Sequence, residues 1–199
     1  MKRPGKESPL IVVIAGPNGA GKTTFFNAHL SKAGLRFVNA DLLAKEMGIA
    51  DPYTAAGAAD ALRRELVAQR ESFVFETVFS DPEGDKLRFL REAMASGYRV
   101  VLCFIAISSA RVSDDRVAMR VSQGGHDVPT EKLRTRYPRT LANLKAAIPV
   151  IPEVRVFSND DLRHPFRKIA VFENGRAVMR AKTIPPWLAS ALPQPSGIG

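Results

Sequence analysis

The run Gly16-Pro17-Asn18-Gly19-Ala20-Gly21-Lys22-Thr23 sets two glycines, with four residues between them, directly before a lysine and a hydroxyl. Each residue type has a chemical reason to be there. Glycines let the backbone curl until N–H groups converge on phosphate oxygens, the lysine reaches the β- and γ-phosphates, and the threonine hydroxyl ligates Mg²⁺. Expected phosphate contacts therefore run from Gly16 through Pro17, Asn18, Gly19, Ala20 and Gly21 to Lys22, Thr23 and Thr24, with Thr23 preferred over Thr24 as metal ligand. At average residue frequencies the pattern arises by accident in on the order of one such chain in a hundred. A loop that merely turned a strand into a helix would need neither the lysine nor the hydroxyl, so the motif implies a nucleoside triphosphate site, with ATP and Mg²⁺ as the ligands.

Two acids stand where strands are expected to end, Asp41 and Glu76. In phosphoryl transfer a carboxylate beside the acceptor hydroxyl takes its proton. Asp41 is the candidate base, and the N-cap of a helix starting near Leu42 is its structural alternative. Glu76 is a candidate to orient the acceptor or to hold magnesium through water; pairing with an arginine is the alternative. Arg116 and Arg120, four residues apart, share a helix face and can cover a triphosphate, and Arg134, Arg136 and Arg139 continue the basic surface. The competing reading is a solvated face balanced by Asp114 and Asp115. There is no Asn-Lys-x-Asp element for guanine, and the strand expected over 99–107 ends in Ile107-Ser108-Ser109 with no acid, which disfavours a GTPase and an ATPase motor.

These groups need a scaffold. Leu10-Ile11-Val12-Val13-Ile14-Ala15 reads as a strand buried on both faces, followed at once by the glycine loop and a helix over about 22–32 that Gly34 ends. Further strands are expected at 35–39, 73–75, 99–107 and 154–157. Helices are expected over 54–70, from Asp81-Pro82 to about Ser96, over 109–122 and over 130–147. In the first of these Ala55, Ala58, Ala59, Leu62 and Leu66 form the buried stripe, with Arg63, Arg64 and Glu65 off it. Asn174-Gly175 marks a hairpin joining 168–172 to 176–179. Strands alternating with helices imply an α/β fold of three layers with a mostly parallel five-stranded sheet and a C-terminal β-hairpin.

The 199 residues suit one domain, expected over 10–188, with residues 1–9 a flexible leader, Trp187 docked on the body and 189–199 a flexible tail. A composition of 45% hydrophobic and 25% charged residues is that of a globular protein, and no run is apolar enough for a membrane span. The single cysteine, Cys103, sits in an apolar run and is expected in the core, which with no signal-peptide pattern gives a cytoplasmic expectation. The net charge is +9, carried mostly by residues 101–199. It suits a polyanion, either a nucleic acid or a nucleotide with a phosphorylated substrate; aromatic residues do not interleave with the basic ones as in single-strand platforms, which disfavours nucleic acid.

The glycine loop, then Asn39-Ala40-Asp41, then Phe75-Glu76-Thr77, then Arg120-Val121-Ser122-Gln123-Gly124-Gly125-His126-Asp127-Val128-Pro129 and Arg136-Tyr137, in this order, resembles the zeta-toxin family over about residues 10–187. The resemblance implies a P-loop kinase-type fold and a kinase that passes the γ-phosphate of ATP to a hydroxyl of a small molecule. The best-known members act on the 3′-hydroxyl of the amino sugar in UDP-N-acetylglucosamine and are silenced by a small antitoxin protein. By motif, Lys22 and Thr23 would serve ATP and Mg²⁺, Asp41 resembles the base, and Glu76 and Thr77 resemble acceptor contacts. Arg120 and Arg136 resemble the arginines that act on the phosphates, with Arg134 and Arg139 as alternatives to Arg136, and His126 is read as structural. The alternatives are a polynucleotide or nucleotide kinase, or a non-catalytic ATP-binding module.

Overall fold

The computed structural model describes residues 8–122, 128–185 and 189. β1 (Leu10–Ala15) leads through the glycine loop into α1 (Lys22–His29), and one 3₁₀ turn (Ser31–Ala33), ended by Gly34, precedes β2 (Arg36–Val38). Then come α2 (Ala40–Met47), α3 (Pro52–Ala68), β3 (Phe73–Thr77), α4 (Asp85–Ala95) and β4 (Arg99–Ala106). The chain continues as α5 (Ala110–Ser122), α6 (Thr130–Ala147), β5 (Glu153–Ser158), β6 (Arg167–Glu173) and β7 (Arg176–Arg180).

Among the described residues all the strands join one sheet in the order β2-β3-β1-β4-β5-β6-β7, so β1 is the middle one of the five parallel strands. The first five are parallel and the last two antiparallel. The five-stranded sheet with a separate hairpin is thereby corrected to seven strands in one sheet. β6 pairs along β5 from Glu153↔Glu173 to Ser158↔Arg167, because a short reversal joins them and antiparallel pairing needs no helical crossover. Its side chains Ile169, Ala170 and Phe172 are buried in the common core.

Parallel strands must be covered on both faces, and here they are. Val13, Phe75, Leu102 and Val154 pack against Leu66 of α3, Leu90 of α4 and Leu144 of α6. On the other face Val12, Ile14, Cys103 and Ile105 pack against Phe25 of α1. The three layers leave the C-terminal ends of the parallel strands as one open edge, where ligands gather in such sheets. No helix among the described residues is long and apolar enough to cross a membrane.

Two local expectations change. Arg63 is not off the buried stripe of α3: it is 4% exposed, with its guanidinium 4.9 Å from the centre of the Phe75 ring and paired with Asp60. Arginine can take such a place because its planar cation stacks on an aromatic face. Secondly, α4 starts at Asp85 behind Gly84 rather than at Asp81-Pro82; Asp81 instead accepts from the Lys86 amide at 3.3 Å. Gly124, Gly125, His126 and Trp187 lie outside the described residues.

Candidate nucleotide and phosphoryl-transfer site

The glycine loop leaves β1 where β1 lies against β4, and the fit there admits no side chain. A Cβ on Gly16, whose φ is +146°, would stand 2.1 Å from the carbonyl oxygen of Ile105. The loop ends at Gly21, the left-handed N-cap of α1, which offers no side-chain cap. The first-turn amides of α1 are thus left to an anion, and the helix dipole favours one. Lys22, 6% exposed, donates from Nζ to the Pro17 carbonyl at 3.0 Å and lies 3.8 Å from Glu76 Oε1. Thr23 Oγ1 donates to Glu76 Oε2 at 2.7 Å, whereas Thr24 is exposed. Glycines that admit no Cβ, an uncapped helix start, a buried lysine and a hydroxyl held on a carboxylate fit the phosphates and metal of a triphosphate.

Glu76 reaches this place because β3 is the other neighbour of β1, in register Ile14↔Glu76. On the other side of β1, β4 ends toward Ile107-Ser108-Ser109 with no acid. β3 supplies it, as an apolar run Phe73-Val74-Phe75 ending in Glu76. The cation at Glu76 is Lys22 rather than an arginine. Its Oε2 also accepts from Asn39 Nδ2 at 2.9 Å, and Asn39 has a second task, since its Oδ1 accepts from the amides of Asp41 and Leu42 at 2.8 and 3.1 Å.

Asn39 is therefore the N-cap of α2, which corrects the alternative reading of Asp41. Asp41 sits inside the first turn, exposed, at the positive end of the helix and with no capping duty. The role of Asn39 was missed, although an Asn directly before Ala-Asp-Leu-Leu is a helix-start signal. Thr77 accepts from the Phe79 amide at 3.1 Å and so shapes the turn leaving β3, where Phe79 is buried with a φ of +61°.

The arginines separate into distinct settings. Arg116 donates from Nη2 to the carbonyls of Asn159 and Asp160 at 2.8 and 3.3 Å, and from Nη1 to Gly19 at 3.5 Å, so its guanidinium faces backbone. The side chain of Arg120 lies outside the described part. Arg134 is exposed and Arg139 donates to the Thr135 carbonyl at 3.0 Å. Arg136 is half-buried, and no hydrogen bond or ion pair engages its guanidinium among the described residues.

The helix around Arg136 is firmly seated. Tyr137 donates to the Ile107 carbonyl at 2.8 Å, and Thr140 donates to the Val78 carbonyl at 3.1 Å. These bonds hold the first half of α6 against the ends of β4 and β3, at the edge from which the glycine loop emerges. Burial, with a smaller effect from the charge of Asp160, pushes the Tyr137 hydroxyl far above its usual range and keeps it a donor.

Among the described residues no group of three or more His, Cys, Asp or Glu side chains could hold a metal alone, so a cation here would share its ligands with phosphate. A cavity of about 380 Å³ opens at the end of β5, lined by Ser158, Asp160, Asp161, His164, Arg167 and Pro185.

Residues 11–138, well over half of the chain, match the family model described as an AAA domain. No curated protein matches the sequence. Among solved structures, a chain of the AvrRxo1-ORF1:AvrRxo1-ORF2 complex aligns with a TM-score of 0.65 at 21% identity, over 86% of this chain and 61% of that one. The same complex has also been solved with ATP. A chain of the PezAT chromosomal toxin-antitoxin system of Streptococcus pneumoniae aligns with a TM-score of 0.61 at 14% identity, over 85% and 74%. A chain of the Pnkp1/Rnl/Hen1 RNA repair complex aligns with a TM-score of 0.56 at 13% identity, over 83% and 49%. Likeness at such identities is likeness of fold, and this chain spans about 60% of the AvrRxo1 chain and half of the RNA repair chain.

Proposed function

The chain belongs to the AAA domain family, and from that premise we propose that it is an ATP-dependent phosphotransferase of the zeta-toxin type, moving a γ-phosphate to a hydroxyl of a small molecule. The single observation that carries this is the Lys22–Thr23–Glu76 cluster at the mouth of a glycine loop that admits no Cβ. Similarity of fold to chains from complexes described as toxin-antitoxin and as solved with ATP supports the reading, as does the order of motifs along the sequence. The amino sugar of UDP-N-acetylglucosamine is the acceptor that the family resemblance suggests, and an antitoxin protein is the partner.

In this reading the amides of Asn18, Gly19, Gly21, Lys22 and Thr23 and the Lys22 ammonium hold the triphosphate, and Thr23 would hold Mg²⁺ with Glu76 beside it. Bound magnesium neutralises charge on the β- and γ-phosphate oxygens. Asp41 takes the proton of the acceptor hydroxyl as that oxygen bonds to the γ-phosphorus and the bridging oxygen leaves with ADP. Asn39 sets the spacing, because one amide group binds Glu76 and caps the helix that carries Asp41. Arg136, with Arg120, stabilises the charge spread over the transferring group.

The test is incubation with γ-labelled ATP, Mg²⁺ and a panel of UDP-sugars, nucleotides and oligonucleotides with free ends. Label should move to a small-molecule hydroxyl, and Lys22→Ala should abolish the transfer. Label moving only to oligonucleotide ends would replace the acceptor assignment. No transfer by either protein, with ATP bound by both, would sink it.

A further inference from the structure

Side chains from outside the glycine loop bind its outward-facing carbonyls. The Pro17 oxygen accepts from the Ala20 amide at 3.3 Å and from Lys22 Nζ at 3.0 Å. The next three carbonyls are taken in sequence by other elements. Ser113 of α5 donates to Asn18 at 2.7 Å, Arg116 of α5 to Gly19 at 3.5 Å, and Asn159, just past β5, to Ala20 at 2.8 Å.

A peptide whose carbonyl is held on one side presents its N–H on the other, because the unit is planar. Fixing the Asn18 and Ala20 carbonyls outward therefore aims the amides of Gly19 and Gly21 inward, at the place an anion would occupy, while the Ala20 amide closes the turn on the Pro17 carbonyl. The groups that do this are rigid. Ser113 is 1% and Asn159 4% exposed, and Asn159 is itself fixed by its amide on the Ala106 carbonyl at 2.9 Å and by the Phe166 amide on its Oδ1 at 3.4 Å. The fit leaves no slack: a Cβ on Gly19 would stand 3.0 Å from Arg116 Cβ, and one on Gly21 2.8 Å from Asn159 Nδ2. Arg116 completes the ring by donating to the Asn159 carbonyl at 2.8 Å, which ties α5 to the β5 end across the loop.

We propose that Ser113, Arg116 and Asn159 form a carbonyl clamp that holds the glycine loop in its anion-binding shape before ligand arrives, and that they are positioning residues for the triphosphate. The inference rests on the phosphate reading of the loop given above. Arg116 thus acts on the back of the loop rather than over the phosphates. Preorganisation of this kind raises affinity by removing the cost of ordering the loop on binding. It acts on the phosphates alone, so inorganic tripolyphosphate should sense it as fully as ATP.

Calorimetric titration of Mg-ATP and of magnesium tripolyphosphate into wild type, S113A, N159D and Y98F tests this. Asn159→Asp is isosteric and keeps the acceptor for Phe166, but it cannot donate to Ala20. Tyr98→Phe is the stability control: its buried hydroxyl donates to the Leu66 and Glu71 carbonyls at 3.0 Å, at the opposite edge of the sheet. The clamp predicts affinity for both ligands about tenfold lower in S113A, the size of one lost hydrogen bond, lower still in N159D, and unchanged in Y98F although its Tm falls. S113A and N159D that melt earlier yet bind as wild type would overturn the clamp alone. Wild-type protein that binds neither ligand would overturn the phosphate reading and the clamp with it.

Discussion

Asn39 binds the Glu76 carboxylate and the backbone amide of Asp41, the two acids to which the proposed transfer assigns roles, and its two functions can be separated by one substitution. Aspartate caps a helix as well as asparagine does, so Asn39→Asp should leave α2 capped and the melting temperature close to that of wild type. It cannot donate to Glu76, however, and it sets a second negative charge where Glu76 Oε2 now accepts at 2.9 Å. Phosphoryl transfer should therefore fall by an order of magnitude or more, whereas Asn39→Ala should also lose about 1 kcal/mol of stability with the cap. Equal activity in N39D and wild type would leave Asn39 as a cap and nothing more. Asp41→Asn tests the base itself. Transfer should slow by roughly 10²–10⁴-fold, while calorimetry should give wild-type affinity for Mg-ATP, because the Asp41 carboxylate has no part in the phosphate cradle. A matching loss of ATP binding would move Asp41 out of the acceptor side of the site.

The α3–α4 pair shows at the level of elements what a one-dimensional reading can and cannot reach. Asp60 of α3 accepts from Lys86 of α4 at 3.0 Å and pairs with the buried Arg63. Burial, and then the nearby Arg64, lower the Arg63 pKa to about 10. Since exchanging a buried ion for an apolar side chain of similar volume is often neutral or stabilising, Arg63→Met should keep or raise Tm. Asp60→Ala should lower it, with a stability loss of about 1–2 kcal/mol because Asp60 itself is partly in solvent; the reverse order in a thermal melt would refute this account of the pair. Helical spacing located α3 but put Arg63 on the wrong side, since periodicity counts an arginine as polar and cannot foresee a Phe75 ring beneath it. The glycine loop, the strands and α6 were readable because their signals are local. The adjacency of β3 to β1 and the Ser113–Asn159 clamp were not, because the first pairs Ile11 with Phe73 and the second binds loop carbonyls from 95 to 139 positions away; nor was the joining of β5 to β6, because the hairpin signal at Asn174-Gly175 pairs β6 with β7 and says nothing of its other neighbour.

At the scale of the whole molecule, β1 is both the middle one of the five parallel strands and the root of the glycine loop, so ligand binding and global stability should be coupled, and Cys103 offers a way to read that coupling. Cys103 lies mid-way along β4, paired with Ile14 on one side and Arg155 on the other. Burial pushes its thiol up to about 11, so at pH 8 it is both protonated and out of reach of a thiol reagent. It can be labelled only when α1 lifts from that face of the sheet or the sheet itself opens. Reaction with an aromatic disulfide reagent at pH 8 should therefore be slow, and at low reagent it should track the equilibrium population of the open chain. Mg-ATP at 100 times its Kd should stabilise the folded form by about 2.7 kcal/mol and slow labelling about a hundredfold. The same addition to K22A should change nothing, since the buried ammonium proposed to hold the phosphates is gone. Rapid labelling without denaturant would contradict the buried position of β4, and slow labelling that Mg-ATP leaves untouched would show that the glycine loop takes no nucleotide.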